Sequence, residues 1–253
     1  MILLSPAKSL DYSQSLPNKP FVSQPLFIKE SEKLVKKLKK FSSKKLEGLF
    51  HVSPEIASLN YDRFQSWEQP LEEKDNIKPC VEVFNGEAYK GLNPFTFSES
   101  DLMYAQDHLR ILSGLYGVLK PLDLMYPYRL EMGTKWEIDA KNKNLYAYWT
   151  DKITKQLKTE KPDFIVNVAS NEYFKAVDFK KLGIKTIVPV FKDFKNGEYK
   201  VIMMYAKHAR GAMARFCIQN RISDVEQIKL FKEDGYTYND LLSNENEWVF
   251  TRS

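Results

Sequence analysis

The sequence predicts an α+β (mixed α/β) fold: one compact domain over residues 1–253, with a central mixed sheet and flanking helices. Three observations predict it. Apolar β-rich runs and helix-period segments follow one another without strict βαβ alternation. Lys195-Asn196-Gly197 separates two β-rich runs, 186–194 and 198–205. Asn-Gly in that setting signals a tight hairpin, so an antiparallel pair is embedded in the order. No internal repeat or low-complexity linker divides the 253 residues, a length that buries a sizeable core.

The elements follow in order. The apolar run in MILLSPAKSL reads as a strand. It lacks a basic leader and is too short for a signal peptide, so it reads as a mature N-terminus. In the segment 33–45, KLVKKLKKFSSKK, Leu34, Leu38 and Phe41 recur at helical spacing. This is an amphipathic helix whose lysines serve a solvated face better than polyanion contact. Residues 80–84, CVEVF, read as a strand ending at Asn85-Gly86. Residues 94–112 read as a helix capped by Ser98, with Asp101 in its first turn and a stripe of Leu102, Ala105, Leu109 and Leu112. Residues 163–169, DFIVNVA, suit a short buried strand, and Ser170 and Glu172 then open a helix through Ala176. After the hairpin, a helix from about Ala206 to Asn220 turns Ala209, Met213, Phe216 and Cys217 inward.

Composition excludes several classes. Hydrophobic residues are 43% and charged residues 28%, as in ordinary soluble proteins. No apolar run approaches the roughly 18 to 20 residues of a membrane span, so no membrane association is expected. Cys80 and Cys217 lie far apart, and His51, His108 and His208 are isolated. That pattern argues against a zinc site, a disulfide framework or a histidine-based metal centre. A reducing cytoplasm is the expected compartment, with no metal or cofactor. Net charge is +5, with a pI near 8.9. This permits an anionic partner without demanding one.

Four segments carry the candidate chemistry. In LSGLYGVLKPLDLMYPYRLEMG, 112–133, the expected helix ends in Ser113-Gly114-Leu115-Tyr116-Gly117. This resembles a helix-hairpin-helix turn, where glycines let a phosphate reach backbone N–H groups and Lys120 adds a charge. The glycines are three apart instead of the usual two, and a plain helix-helix turn fits as well. Segment 200–221 contains Lys200, Lys207, Arg210, Arg215 and Arg221 and no acid, with Gly211 and Ala212 leaving room for a ligand or another backbone. In SPAKSLDY, 5–12, Ser5, Lys8 and Asp11 sit on the loop after a strand. Lys8 there can bind an anion or, if desolvated, form a Schiff base. NVASNEYFK, 167–175, offers strand, cap and helix. Walker, Rossmann and nucleophile-elbow motifs are lacking, which disfavours nucleotide hydrolysis.

Together SPAKSLD, FNGEAYKGL at 84–92, the 112–133 segment, LYAYW at 145–149, NVASNEYFK and PVFKDFKNGEYKVIMMYAKHARGAMARF resemble the YaaA family of bacterial peroxide stress resistance proteins, in the same order along almost the whole chain. The resemblance implies DNA binding, to duplex and branched or bubbled forms with little sequence preference, linked to DNA repair and to limiting free intracellular iron. It also implies a single mixed domain with a positively charged cleft and a helix-hairpin-helix element. Carried onto this chain, the element falls on Ser113 to Gly117 with Lys120, and the cleft draws on Lys8, Arg129, Lys207, Arg210 and Arg215. Tyr128, Arg129 and Glu131 suit a cleft lining, the aromatic for a base and Arg129 for a phosphate. The alternative is a DNA-repair glycosylase or lyase using Lys8 beside Asp11, Glu131 or Glu172. No protein partner is evident.

Overall fold

The computed structural model describes residues 1–253. Eight strands form the main sheet: β1 (Ile2–Leu4), β2 (Leu109–Ser113), β3 (Gly117–Leu119), β4 (Ile165–Asn167), β5 (Thr186–Lys195), β6 (Glu198–Lys200), β7 (Thr237–Tyr238) and β8 (Glu247–Arg252). Their order is β7-β8-β5-β4-β1-β2-β3, with β6 attached to β5 alone. The middle five, β8-β5-β4-β1-β2, run parallel. Antiparallel pairs β2–β3, β5–β6 and β7–β8 close the margins. The sheet is therefore mixed, as expected, around a parallel centre. Every residue of β1, β2 and β4 is buried, as a parallel strand covered on both faces requires.

Seven α-helices of six residues or more surround it: α1 (Ile28–Leu38), α2 (Ser43–Phe50), α3 (Pro54–Ser66), α4 (Glu87–Leu92), α5 (Glu99–His108), α6 (Leu145–Thr159) and α7 (Met203–Gln219). Serines cap three of them, and Ser98 with Asp101 makes a full reciprocal capping box on α5. One apolar cluster of 66 buried residues runs from Ile2 to Phe250, so the sheet and helices share a core. No helix is long and apolar enough to cross a membrane.

Several local expectations change. The lysine-rich stretch breaks at Lys39–Ser42 and restarts as α2, because the Ser42 side chain caps a new helix. CVEVF makes one helical turn, Cys80–Val83, before Phe84–Asn85 pairs with Ser9–Leu10. The helix after the second hairpin begins at Met203, so the strand preceding it ends at Lys200.

The largest correction concerns residues 109–117. The expected helix stops at His108 and the chain continues as β2, so no helix-hairpin-helix forms. Ser113 and Gly117 face each other across a β-hairpin in which Ser113, Leu115 and Tyr116 are wholly buried. A Cβ on Gly114 would lie 2.1 Å from the Leu130 carbonyl oxygen, and one on Gly117 would lie 2.7 Å from the Trp149 ring. The glycines make room for protein, and no phosphate can reach this backbone. Lys120 follows the hairpin with its N–H donated to Asp123 at 2.8 Å.

Candidate functional site

From β1 the chain passes to β2 on one side, and later returns to β4 on the other. The carboxyl ends of β1 and β4 therefore flank a topological switch point, where open α/β sheets hold their ligands. A cleft of about 310 Å³ opens there. Its floor is stitched across the two strands: Ser170 N–H donates to Ser5 Oγ at 2.9 Å, and the Tyr89 hydroxyl donates to the Ser5 carbonyl at 3.0 Å.

Three walls follow from local packing. Leu130 is buried against Gly114, which turns its neighbours Arg129 and Glu131 into the cleft. Tyr128 is held beside them by a 2.6 Å hydrogen bond between its hydroxyl and Ser113 Oγ. The second wall is the Asn85–Tyr89 segment at the start of α4. The third is α7, which lies against α4 with almost no separation. A Cβ on Gly211 would fall 1.7 Å from the Ala88 carbonyl oxygen, and one on Gly91 would fall 2.1 Å from that of His208. The small residues of α7 thus admit a second helix. That contact carries Lys207 and Arg210 to the cleft rim.

The charges divide into paired and unpaired. Glu131 takes Lys8 at 2.6 Å on one oxygen and Arg129 at 3.0 Å on the other. Glu172 accepts the Gly133 N–H at 2.8 Å through Oε1. Glu87 is held by Lys90 at 2.6 Å. Arg210, by contrast, is half-buried, and burial alone pushes its guanidinium below the usual arginine value. No carboxylate, carbonyl or hydroxyl of the chain pairs with it, and Lys207 beside it is equally free. Arg129 adds a buried Nε without an acceptor. Burial drives the hydroxyls of Tyr89, Tyr128 and Tyr173 well above the ordinary tyrosine range, so they stay protonated as donors or stacking surfaces. Beyond Arg129, Glu131 and Glu172, a second cavity of about 270 Å³ reaches His51 and Lys135.

Lys8, Arg129, Glu131, Lys207 and Arg210, named from sequence, therefore share one cleft. Others fall elsewhere. Asp11 is spent on its own loop, accepting Ser13 N–H at 2.8 Å and the Ser13 hydroxyl at 2.6 Å, which hold its carboxyl below the usual range. Arg215 does not line the cleft and is paired with Glu233. Ser113 to Gly117 act behind the wall, and Lys120 lines no part of the cleft. Tyr89, Tyr173 and Glu87 were not legible as site residues. Tyr89 and Glu87 lie inside FNGEAYKGL and Tyr173 inside NVASNEYFK, segments whose similarity to a known family was their one signal.

A family model described as peroxide stress protein YaaA matches residues 1–242. A UPF0246 protein of Saccharophagus degradans is 48% identical over 256 residues, covering 100% of this chain and 99% of that protein. One from Clostridium beijerinckii is 47% identical over 258 residues, covering 100% and 97%. One from Neisseria gonorrhoeae is 46% identical over 255 residues, covering 99% and 97%. With matches of this extent, the chain belongs to the peroxide stress protein YaaA family.

Proposed function

We propose that this protein binds DNA in the peroxide response, through phosphate contacts with little sequence preference, and that the switch-point cleft is its grip. One observation carries the reading: Arg210 is half-buried in the cleft with no partner in the chain, beside an unpaired Lys207. A guanidinium taken partly out of water without an acceptor is costly unless a ligand supplies one. Phosphate suits it, since it accepts two parallel N–H bonds from an arginine. Arg129 and Lys8 stand across the same cleft, where they add positive charge for further phosphates. A role in repair, and a limit on free iron arising indirectly from containment of damage, belong to the same proposal.

Mobility shifts over a salt series test it. Lys207→Ala with Arg210→Ala should weaken binding at least about tenfold and lower the salt slope by about 2, one unit per lost phosphate contact. An unchanged affinity and slope would remove the cleft from the interface.

The contact of Lys8 with Glu131 at 2.6 Å favours a second reading, a base-excision enzyme in which Glu131 takes a proton from Lys8 and the freed amine attacks the sugar C1′ as the C1′–N bond breaks and the base leaves. Against it, the Lys8 side chain is 63% exposed and lacks the desolvation that usually frees such an amine. Borohydride trapping on damaged duplexes discriminates: a Lys8-dependent adduct supports this reading, and no adduct with no base release ends it.

A further inference from the structure

A second surface lies outside the cleft. β5 and β6 extend past the sheet as a hairpin turned by Asn196 and Gly197, both at positive φ. β6 pairs with β5 alone, so its other edge has no strand beside it. Of the fourteen large apolar side chains exposed anywhere in the chain, six lie within the twelve residues from Phe194 to Tyr205. An open strand edge next to exposed apolar side chains is a template for another strand.

The register shows which strand fits. The two-residue turn makes Lys195 and Glu198 a hydrogen-bonded pair, Phe194 and Tyr199 a non-hydrogen-bonded pair, and Asp193 and Lys200 a hydrogen-bonded pair again. Tyr199 therefore points its N–H and C=O away from β5, and no other segment of the chain takes them. On one face of the hairpin the rings of Phe194 and Tyr199 meet edge to face at 5.2 Å. Val201, two residues on, shares that face and is exposed. Lys195, Glu198 and Lys200 occupy the other face. Glu198 holds Lys200 at 3.1 Å through Oε1 alone and remains 69% exposed.

Glu198-Tyr199-Lys200 is complementary to itself in the opposite direction. Two copies set antiparallel about Tyr199 exchange both Tyr199 backbone hydrogen bonds. Glu198 then lies opposite Lys200 of the second copy, and Lys200 opposite its Glu198. The match extends over four strands. One row reads Lys195 and Glu198 of one copy, then Lys200 and Asp193 of the other, alternating in sign throughout. The central row reads Phe194, Tyr199, Tyr199, Phe194, and Gly197 presents no side chain against Val201 of the second copy. A two-fold centred on Lys200 instead would set lysine against lysine, which is unfavourable.

We propose that this protein forms a two-fold dimer by antiparallel pairing of its β6 edges, centred on Tyr199. The pairing joins two main sheets into one and covers the Phe194, Tyr199 and Val201 strip of each copy with that of the other. It requires no nucleic acid, so it stands or falls apart from the reading of the cleft.

The test is sedimentation equilibrium of the full chain, freed of nucleic acid by nuclease. A reversible monomer–dimer equilibrium is expected, with a dissociation constant of about 10–100 μM, as suits a small contact. Glu198→Lys and Lys200→Glu each set like charges across the axis twice, and each variant alone should weaken association at least about tenfold. Mixed one to one, the two variants should associate as the parent does, because the altered charge of one then meets the altered charge of the other. A parent that stays monomeric to about 1 mM overturns the proposal. So does a dimer that either variant leaves intact, or one that mixing fails to restore, since the contact then lies elsewhere.

Discussion

Two hairpins turn on glycine in this molecule, and they do opposite things. The turn between β2 and β3 is buried, and its Gly114 backbone touches the Leu130 carbonyl. The turn between β5 and β6 is exposed, and nothing lies within 4 Å of a Cβ built on Gly197. Gly197 answers a need of its own backbone, at φ +83. Gly114 answers a need of another segment, the one that carries Arg129 and Glu131 into the cleft. A glycine-rich stretch in a sequence announces close approach without saying what approaches.

The contrast can be broken by substitution. Gly114→Ala should have the largest effect. With backbone on the other side of the contact and no flexible side chain to yield, destabilisation should exceed about 3 kcal/mol in a denaturant titration. Near-native stability of this variant would show that the 129–131 wall can move independently of the hairpin. A second test reads the buried hairpin's exit, where Asp123 accepts Ser23 Oγ at 2.7 Å and Lys120 N–H at 2.8 Å. Burial raises its pKa from 3.8 to about 6. Between those values the folded state keeps a proton that the unfolded state has lost. This group's contribution is therefore full below about pH 4 and disappears as pH rises through about 6, on the order of 3 kcal/mol. Relative to the parent, Asp123→Asn should flatten the stability profile in that window. Parallel profiles from pH 4 to 7 would contradict the assignment. The smallest effect belongs to Gly197→Ala, where only left-handed strain opposes the new methyl, about 1 kcal/mol. A loss as large as at Gly114 would erase the distinction between the two turns.

What the sequence disclosed follows the same division. The second hairpin was legible because Asn196-Gly197 demands its conformation locally. The Ser98 cap was legible for the same reason, and so was most of α7, whose Ala209, Met213 and Cys217 are buried in register. The first hairpin was not. Leu102, Ala105, Leu109 and Leu112 continue a helical stripe by coincidence, because β2 is buried on both faces and shows no alternation to contradict it. Even Arg110 is hidden there, its charge met by Glu160 at 2.7 Å and by the carbonyls at the end of α5. The cleft cations were recognisable one by one, as charges on loops and on an acid-free helix. Their convergence depended on Gly91 and Gly211 meeting across α4 and α7, a long-range contact with no local signature. Asp11 and Arg215 show the reverse: residues of the right chemistry whose neighbours, Ser13 and Glu233, claim them first.

The meeting of α4 and α7 through bare backbone has a mechanical meaning. Two helices cushioned by long side chains can slide or part by rotamer changes, but these have none to change where Gly91 faces His208 and Gly211 faces Ala88. The distance between the Glu87–Tyr89 wall and Arg210 is thus set by the thickness of peptide groups. The backbone frame of the slot has a fixed gauge, and a molecule entering it would have to fit that breadth as well as its charge.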